Sequence, residues 1–137
     1  MNIYEQLHRD EGVRQSGYQI NGRWTIGVGH DIESGPPIPL DAVEMILYRD
    51  VAEKLQGLTF KLPWIKTLND ARRGALINLS FNMGVDGLID NNPRMIHAMQ
   101  LGQWSVAAQE LLDGPYKDQV GDRAYRLAKQ IETGEWV

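Results

Sequence analysis

The pair Asn21-Gly22 places the tightest local constraint on this chain. It stands between Tyr18 and Ile20 on one side and Trp24, Ile26 and Val28 on the other. Alternating apolar residues around Asn-Gly predict an antiparallel hairpin closed by a two-residue type I′ turn. The following run, Thr25-Ile26-Gly27-Val28-Gly29-His30, spaces two glycines two apart. That thins one face of the strand and lets another backbone or a ligand approach closely. It is not a dinucleotide fingerprint, because no third glycine opens a helix behind it.

Helical signals surround this hairpin. Asn2 can cap a short helix, and Glu5 three residues later completes a capping-box pattern. Gly12 weakens that helix just after Glu11, so Glu11 falls at its C-terminus, directly before the hairpin. Ser34-Gly35-Pro36-Pro37 is a hard break. From Leu40 to about Leu55, Leu40, Val43, Ile46, Leu47, Val51 and Leu55 recur at three- and four-residue steps, which predicts one long amphipathic helix. Beyond Pro63 the pattern is helical almost to the end. Asn69 to Met83 is apolar on two sides and stops at Gly84, which makes it the expected centre of the larger lobe. Asn92-Pro93 starts a helix that stops at Gly102. Gln103–Asp113 and Asp122–Thr133 follow, each ended by a glycine.

Segregated elements of this kind predict an α+β fold. The expected layout is one domain over 1–137: a small antiparallel sheet lobe at about 12–39, a connecting helix at about 40–56, and a helical lobe at about 57–137 that also takes the N-terminal helix 2–11. A cleft between two such lobes is where a ligand is expected.

Composition narrows the function. Cysteine is absent from the 137 residues, which excludes disulfide scaffolds, thiolate metal sites and cysteine nucleophiles. Apolar runs are too short to span a membrane. The first eleven residues carry Glu5, Arg9, Asp10 and Glu11 and hold no apolar core of a secretory signal. Residues 1–69 and 70–137 each hold seven Lys/Arg and nine Asp/Glu, so neither half has the basic footprint of a nucleic-acid binder. Four tryptophans and five tyrosines against two phenylalanines suit a partly polar ligand such as a sugar, although the same residues can fill a core.

Among the groups that could do chemistry, the serines lack a nucleophile elbow. The histidines His8, His30 and His97 lack the spacing of a hydrolytic zinc site. Carboxylates remain. Glu11, just past a helix and facing a hairpin, could act as general acid on a glycosidic oxygen. Position alone favours a solvated glutamate or a partner for an arginine over an acid, and a plain strand former at Thr25.

The residues Asp10-Glu11-Gly12, Tyr18 and Thr25-Ile26-Gly27-Val28-Gly29-His30 resemble the N-terminal signature of the phage-type lysozymes, glycoside hydrolase family 24. Arg72-Arg73-Gly74-Ala75-Leu76-Ile77-Asn78-Leu79-Ser80-Phe81-Asn82-Met83-Gly84 is similar to that family's central helix in the helical lobe. Gln119–Ala124 and Thr133-Gly134-Glu135-Trp136 are similar to its closing segment. The resemblance covers nearly the whole chain in the family's order. It implies a muramidase or endolysin that cuts the β-1,4 bond between N-acetylmuramic acid and N-acetylglucosamine. Glu11 would be the general acid, and Thr25 would hold the attacking water. Tyr18, Gly27, Asn82 and Arg123 would serve the substrate side, with Arg123 also pairing with the acid. His30 and Asp50 would form a structural pair stapling the sheet lobe to the connecting helix. The resemblance implies no metal or cofactor. It implies peptidoglycan strands as the partner of a monomer that neither binds nucleic acid nor inserts into a membrane. Such a protein would be made in a host cytoplasm and act on the periplasmic wall after release.

One departure stands out. The family usually has an aspartate, sometimes a cysteine, two residues after the Tyr18 position. Here Tyr18-Gln19-Ile20-Asn21-Gly22 is one residue short and carries no carboxylate. Either Ile20 or Asn21 takes the place. Asn21 can orient a water but cannot take its proton at neutral pH. Asp31, expected at the end of the second strand, is the next candidate for a base. The family's extra helical segment before the long helix is also replaced by the short stretch Ser34–Pro39. Loss of one catalytic group costs about 10²–10⁴ in rate and still leaves an enzyme. Two rivals follow: a lysozyme fold that grips peptidoglycan without cutting it, and a helical module that binds a protein. The second leaves the paired motifs at both ends of the chain unexplained.

Overall fold

The computed structural model describes residues 2–137. Its described elements are α1 (Ile3–Glu11), β1 (Arg14–Ile20), β2 (Arg23–Gly27), β3 (His30–Asp31), α2 (Leu40–Lys61), a 3-10 turn (Pro63–Thr67), α3 (Asp70–Asn91), α4 (Pro93–Gln100), α5 (Trp104–Asp113), α6 (Tyr116–Val120) and α7 (Asp122–Thr133). Among the described residues this is an α+β arrangement of seven α-helices and one small sheet. The chain divides into two compact units, Met1–Leu47 and Tyr48–Val137.

In the first unit, Asn2 accepts from the Glu5 amide at 3.0 Å and Glu5 accepts from the Asn2 amide at 2.9 Å. These two bonds satisfy donors that the first turn of α1 would otherwise leave unpaired. Gly12, at φ 74°, ends the helix. The three strands form one antiparallel sheet in the order β1-β2-β3. Asn21 (φ 50°) and Gly22 (φ 76°) both have the positive φ that a type I′ turn demands. Ile20 then pairs with Arg23, and Tyr18 with Thr25.

The paired glycines do something different from the sequence expectation. Gly27 (φ 70°) and Gly29 (φ 68°) reverse the chain. The strand therefore ends at Gly27, and a separate β3 returns along it, pairing His30 with Ile26 and Asp31 with Thr25. Two left-handed positions in three residues form a turn; they cannot continue a strand.

In the second unit, α2 extends past the expected end at Leu55 to Lys61. Gly57 lowers helix propensity, but Leu58 beyond it is fully buried and holds the extra turns in place. A Cβ at Gly57 would come within 3.2 Å of Val85, so a glycine lets this turn pack closely. Pro63 then ends the helix. The expected break at Gly84 is real: its φ of 72° and ψ of 164° interrupt α3, and helix resumes to Asn91. The 3-10 turn and α6 are short elements without a periodic signature of their own. Leu76, Leu79, Leu88, Met95, Leu111 and Ile131 are fully buried at the centre of one apolar core.

Arg72 ties α3 to the end of α7. Its Nε donates to the Ile131 carbonyl at 2.8 Å and its Nη2 to the Glu132 carbonyl at 3.0 Å. Its guanidinium lies 3.9 Å from the centre of the Trp104 ring. Asn69 adds a bond to the Gly134 carbonyl at 2.9 Å. The last carbonyls of a helix have no partner within it, so a forked cation from a neighbouring helix is well matched to them. Arg72→Lys keeps the charge but loses the planar fork and the flat stacking surface. It should lower stability by about 2 kcal/mol, read as a reduced urea midpoint at unchanged slope.

Candidate active site

Cross-strand pairing sets the face of the sheet on which a site can form. Directly paired residues point to the same side, with Cβ atoms about 5 Å apart. Tyr18, Thr25 and Asp31 therefore share one face, and Ile20 and Arg23 lie on it two residues further along. Gln19, Trp24, Ile26 and His30 take the other face. A pocket of about 380 Å³ opens on the first face, lined by Glu11, Ile20, Asn21, Arg23, Thr25, Gly29 and Asp31.

Glu11 enters this pocket from the end of α1. Its carboxylate lies against Gly29: a Cβ there would come within 3.0 Å of Glu11 Oε2 and 3.2 Å of its carboxyl carbon. The close approach expected from the glycine pair is thus present at Gly29, with the acid as the approaching group. Thr25 is only 4% exposed, and its hydroxyl donates to the Arg23 carbonyl at 3.3 Å. Its lone pairs stay available to a water. Ile20 and Asn21, the two alternatives for the missing carboxylate, both line the pocket.

Asp31 is the residue whose place the sequence reading put at the end of the second strand. It lies instead on β3, opposite Thr25. Its Oδ1 accepts from the Glu33 and Ser34 amides at 2.9 and 3.0 Å, and its Oδ2 accepts from Ser34 Oγ at 2.6 Å. Arg23 Nη1 stands 3.6 Å from Oδ2. The Ser34 hydroxyl, the two amides and Arg23 hold the Asp31 carboxyl down to about 2 against burial. A carboxylate this acidic is a weak proton acceptor at neutral pH, and it stays ionised throughout the physiological range. Arg23 was not anticipated in the site. The signal for both residues was Gly27-Val28-Gly29 read as a turn, which would have set Asp31 beside Thr25.

The other expected residues lie as follows. Tyr18 has Arg14 over its ring at 5.3 Å, and its hydroxyl is buried with no hydrogen-bond partner among the described residues. Gly27 is at the β2 end with open space where a side chain would be. His30 Nε2 is likewise buried without a partner among the described residues. Asp50 on α2, Asn82 on α3 and Arg123 on α7 belong to the second unit. There Arg123 donates through Nε and Nη2 to the Asn78 side chain and carbonyl. Burial raises the Tyr116 hydroxyl above its ordinary value, and the nearby Arg123 charge opposes that. Among the described residues no cluster of three or more His, Asp or Glu could hold a metal ion, and no helix is long and apolar enough to cross a membrane.

The phage lysozyme family matches residues 8–129, which include Glu11, the whole sheet and most of α7. The chain belongs to the phage lysozyme family. It is 28% identical to the pre-baseplate central spike protein Gp5 of Enterobacteria phage T4, over 98% of this chain and 28% of that protein. It is 24% identical to the probable T4-type lysozyme 1 of Dictyostelium discoideum, over 97% of this chain and 95% of that protein. The chain thus spans just over a quarter of the spike protein and nearly all of the Dictyostelium one. Both alignments are longer than this 137-residue lysozyme-family chain, at 162 and 163 positions. The relatives therefore hold residues that it lacks, in keeping with its short hairpin and the short stretch before α2.

Two glycines in this lysozyme-family sheet separate backbone cost from site contact. Gly27→Ala meets open space and should carry only the cost of a left-handed non-glycine residue, about 1–2 kcal/mol. Gly29→Ala should carry the same cost and also displace the Glu11 carboxylate. Urea denaturation of the two variants should find Gly29→Ala the less stable.

Proposed function

We propose that this chain is an N-acetylmuramidase that cuts the β-1,4 bond between N-acetylmuramic acid and N-acetylglucosamine in peptidoglycan. The observation that carries the reading is one pocket lined by Glu11 and Thr25, in a chain of the phage lysozyme family. Glu11 donates its proton to the glycosidic oxygen as the bond to the anomeric carbon breaks. A water held by Thr25 and Asn21 adds to that carbon and gives up its proton. Tyr18, Gly27, Asn82 and Arg123 serve the glycan. His30, whose buried Nε2 has no hydrogen-bond partner among the described residues, keeps a structural role for which Asp50 is the expected partner. The enzyme works as a monomer without metal or cofactor.

A second reading has one observation in its favour: neither Ile20 nor Asn21 is a carboxylate, so the position facing the attacking water has no base. On that reading the chain binds peptidoglycan without cutting it. Glu11→Gln decides between the two. Glutamine keeps the shape and cannot donate the acid proton. The variant should release no reducing ends from purified cell walls and should be at least as stable as the parent. A parent that pellets with cell walls yet releases no product supports the binding reading, and a variant as fast as the parent removes Glu11 from the acid role.

Asn21→Asp should restore a base in the pocket and raise turnover at least about tenfold. Aspartate before glycine is accepted in a type I′ turn, so the sheet should persist. Ile20→Asp tests the neighbouring position by the same reducing-end assay.

A further inference from the structure

A glycosidase transition state carries positive charge on the sugar ring and needs negative charge near the anomeric carbon. The usual position for that charge in this chain holds Ile20-Asn21. The pocket nevertheless contains a second carboxylate besides Glu11.

We propose that Asp31 supplies the fixed negative charge of the site and stabilises the oxocarbenium-like sugar while Glu11 acts as the acid. The proposal rests on the muramidase reading above and names a group that the sequence resemblance leaves without a role. Three observations carry it. Asp31 is the cross-strand partner of Thr25, so its side chain stands on the same face beside the hydroxyl that holds the water. Both residues line the Glu11 pocket. The carboxylate is held at both oxygens by Glu33 and Ser34, so its charge is preorganised.

The carboxyl's low affinity for protons agrees with a charge that persists through the reaction. As the bond from carbon to the leaving oxygen breaks, its electron pair goes to that oxygen, which takes the Glu11 proton. Asp31 attracts the cation left behind. The incoming water forms the new bond and releases its proton to solvent water. Glu11 recovers its proton from solvent, so Asp31 is unchanged over the cycle. Arg23, which lines the same pocket and stands 3.6 Å from Asp31 Oδ2, helps keep the carboxylate ionised.

The test uses Asp31→Asn and Asp31→Ala in the full chain, with purified peptidoglycan as substrate. Asp31→Asn retains the oxygen that accepts two amides, so it separates charge from turn geometry. Both variants should lose kcat by about 100-fold or more with KM little changed, and Asp31→Asn should keep a cooperative thermal melt. Sodium azide should restore turnover to Asp31→Ala and yield a glycosyl azide detectable by mass spectrometry, which a carboxylate that merely holds a turn would not give. A folded Asp31→Asn with more than a third of the parent kcat overturns the proposal. So does a loss in Asp31→Ala with neither rescue nor glycosyl azide. If the parent itself releases no product, the muramidase reading fails and takes this assignment with it; an active parent beside an equally active Asp31→Asn removes the assignment alone.

Discussion

The sheet of the first unit depends on four residues with positive φ. Asn21 and Gly22 turn β1 into β2, and Gly27 and Gly29 turn β2 into β3. Among the described residues up to Leu47, Thr25 alone is buried, so no apolar core fixes the strand register there. Register comes from the turns. A slip of one residue would send Thr25 and Asp31 to the opposite face. Gly29 acts twice, once through its left-handed backbone and once through its missing side chain, which gives the Glu11 carboxylate its place. The chemistry of the pocket is therefore set by backbone conformation more than by side-chain packing.

The second unit has the opposite balance. Its helices share one core of leucine, methionine, alanine and isoleucine, with polar groups placed where helices end or cross. Arg72 covers the last carbonyls of α7, and Gln130, buried on α7, donates to the Ala71 carbonyl at 2.7 Å. The Arg72 bonds satisfy carbonyls that the end of α7 leaves unpaired, and the Ala71 carbonyl gives the buried Gln130 amide an acceptor. A unit built this way tolerates exchange of one apolar side chain for another better than it tolerates loss of Arg72 or Gln130.

Much of this was legible in the residues. The capping box at Asn2 and Glu5 and the Asn21-Gly22 turn are local rules with local causes, and both hold as read. So do the glycine stops at Gly84 and Gly134, because a left-handed residue ends a helix whatever surrounds it. The end of α2 was misread because Leu58 is held by burial, a tertiary effect that overrides the local penalty at Gly57. Glu11 and Thr25, singled out by their motifs, both line the pocket on the sheet face. Arg23 and the place of Asp31 beside Thr25 are not legible in the alternation pattern, because one extended strand through His30 fits that pattern as well as a turn at Gly27 and Gly29 does. Alternation alone cannot distinguish the two when the intervening residues are glycine and valine.

The turn at Gly27 and Gly29 also bears on how a shortened hairpin can keep the face of the pocket. A hairpin one residue shorter changes what the β1 end presents and carries no carboxylate at either Ile20 or Asn21. It does not disturb the pairing between β2 and β3, because that register is set by Gly27 and Gly29 on the other side of Thr25. A negative charge on β3 is thus independent of the length of the first turn. Ser34 and Glu33 fix it from a segment after the sheet, so its position needs nothing from β1. An acid from α1 and a charge from β3, both referred to Thr25 on the central strand, form a set that survives changes at the hairpin tip. On the proposed muramidase reading, only the proton of the attacking water goes to no group of this chain; a water bound to a cationic carbon releases it readily to solvent.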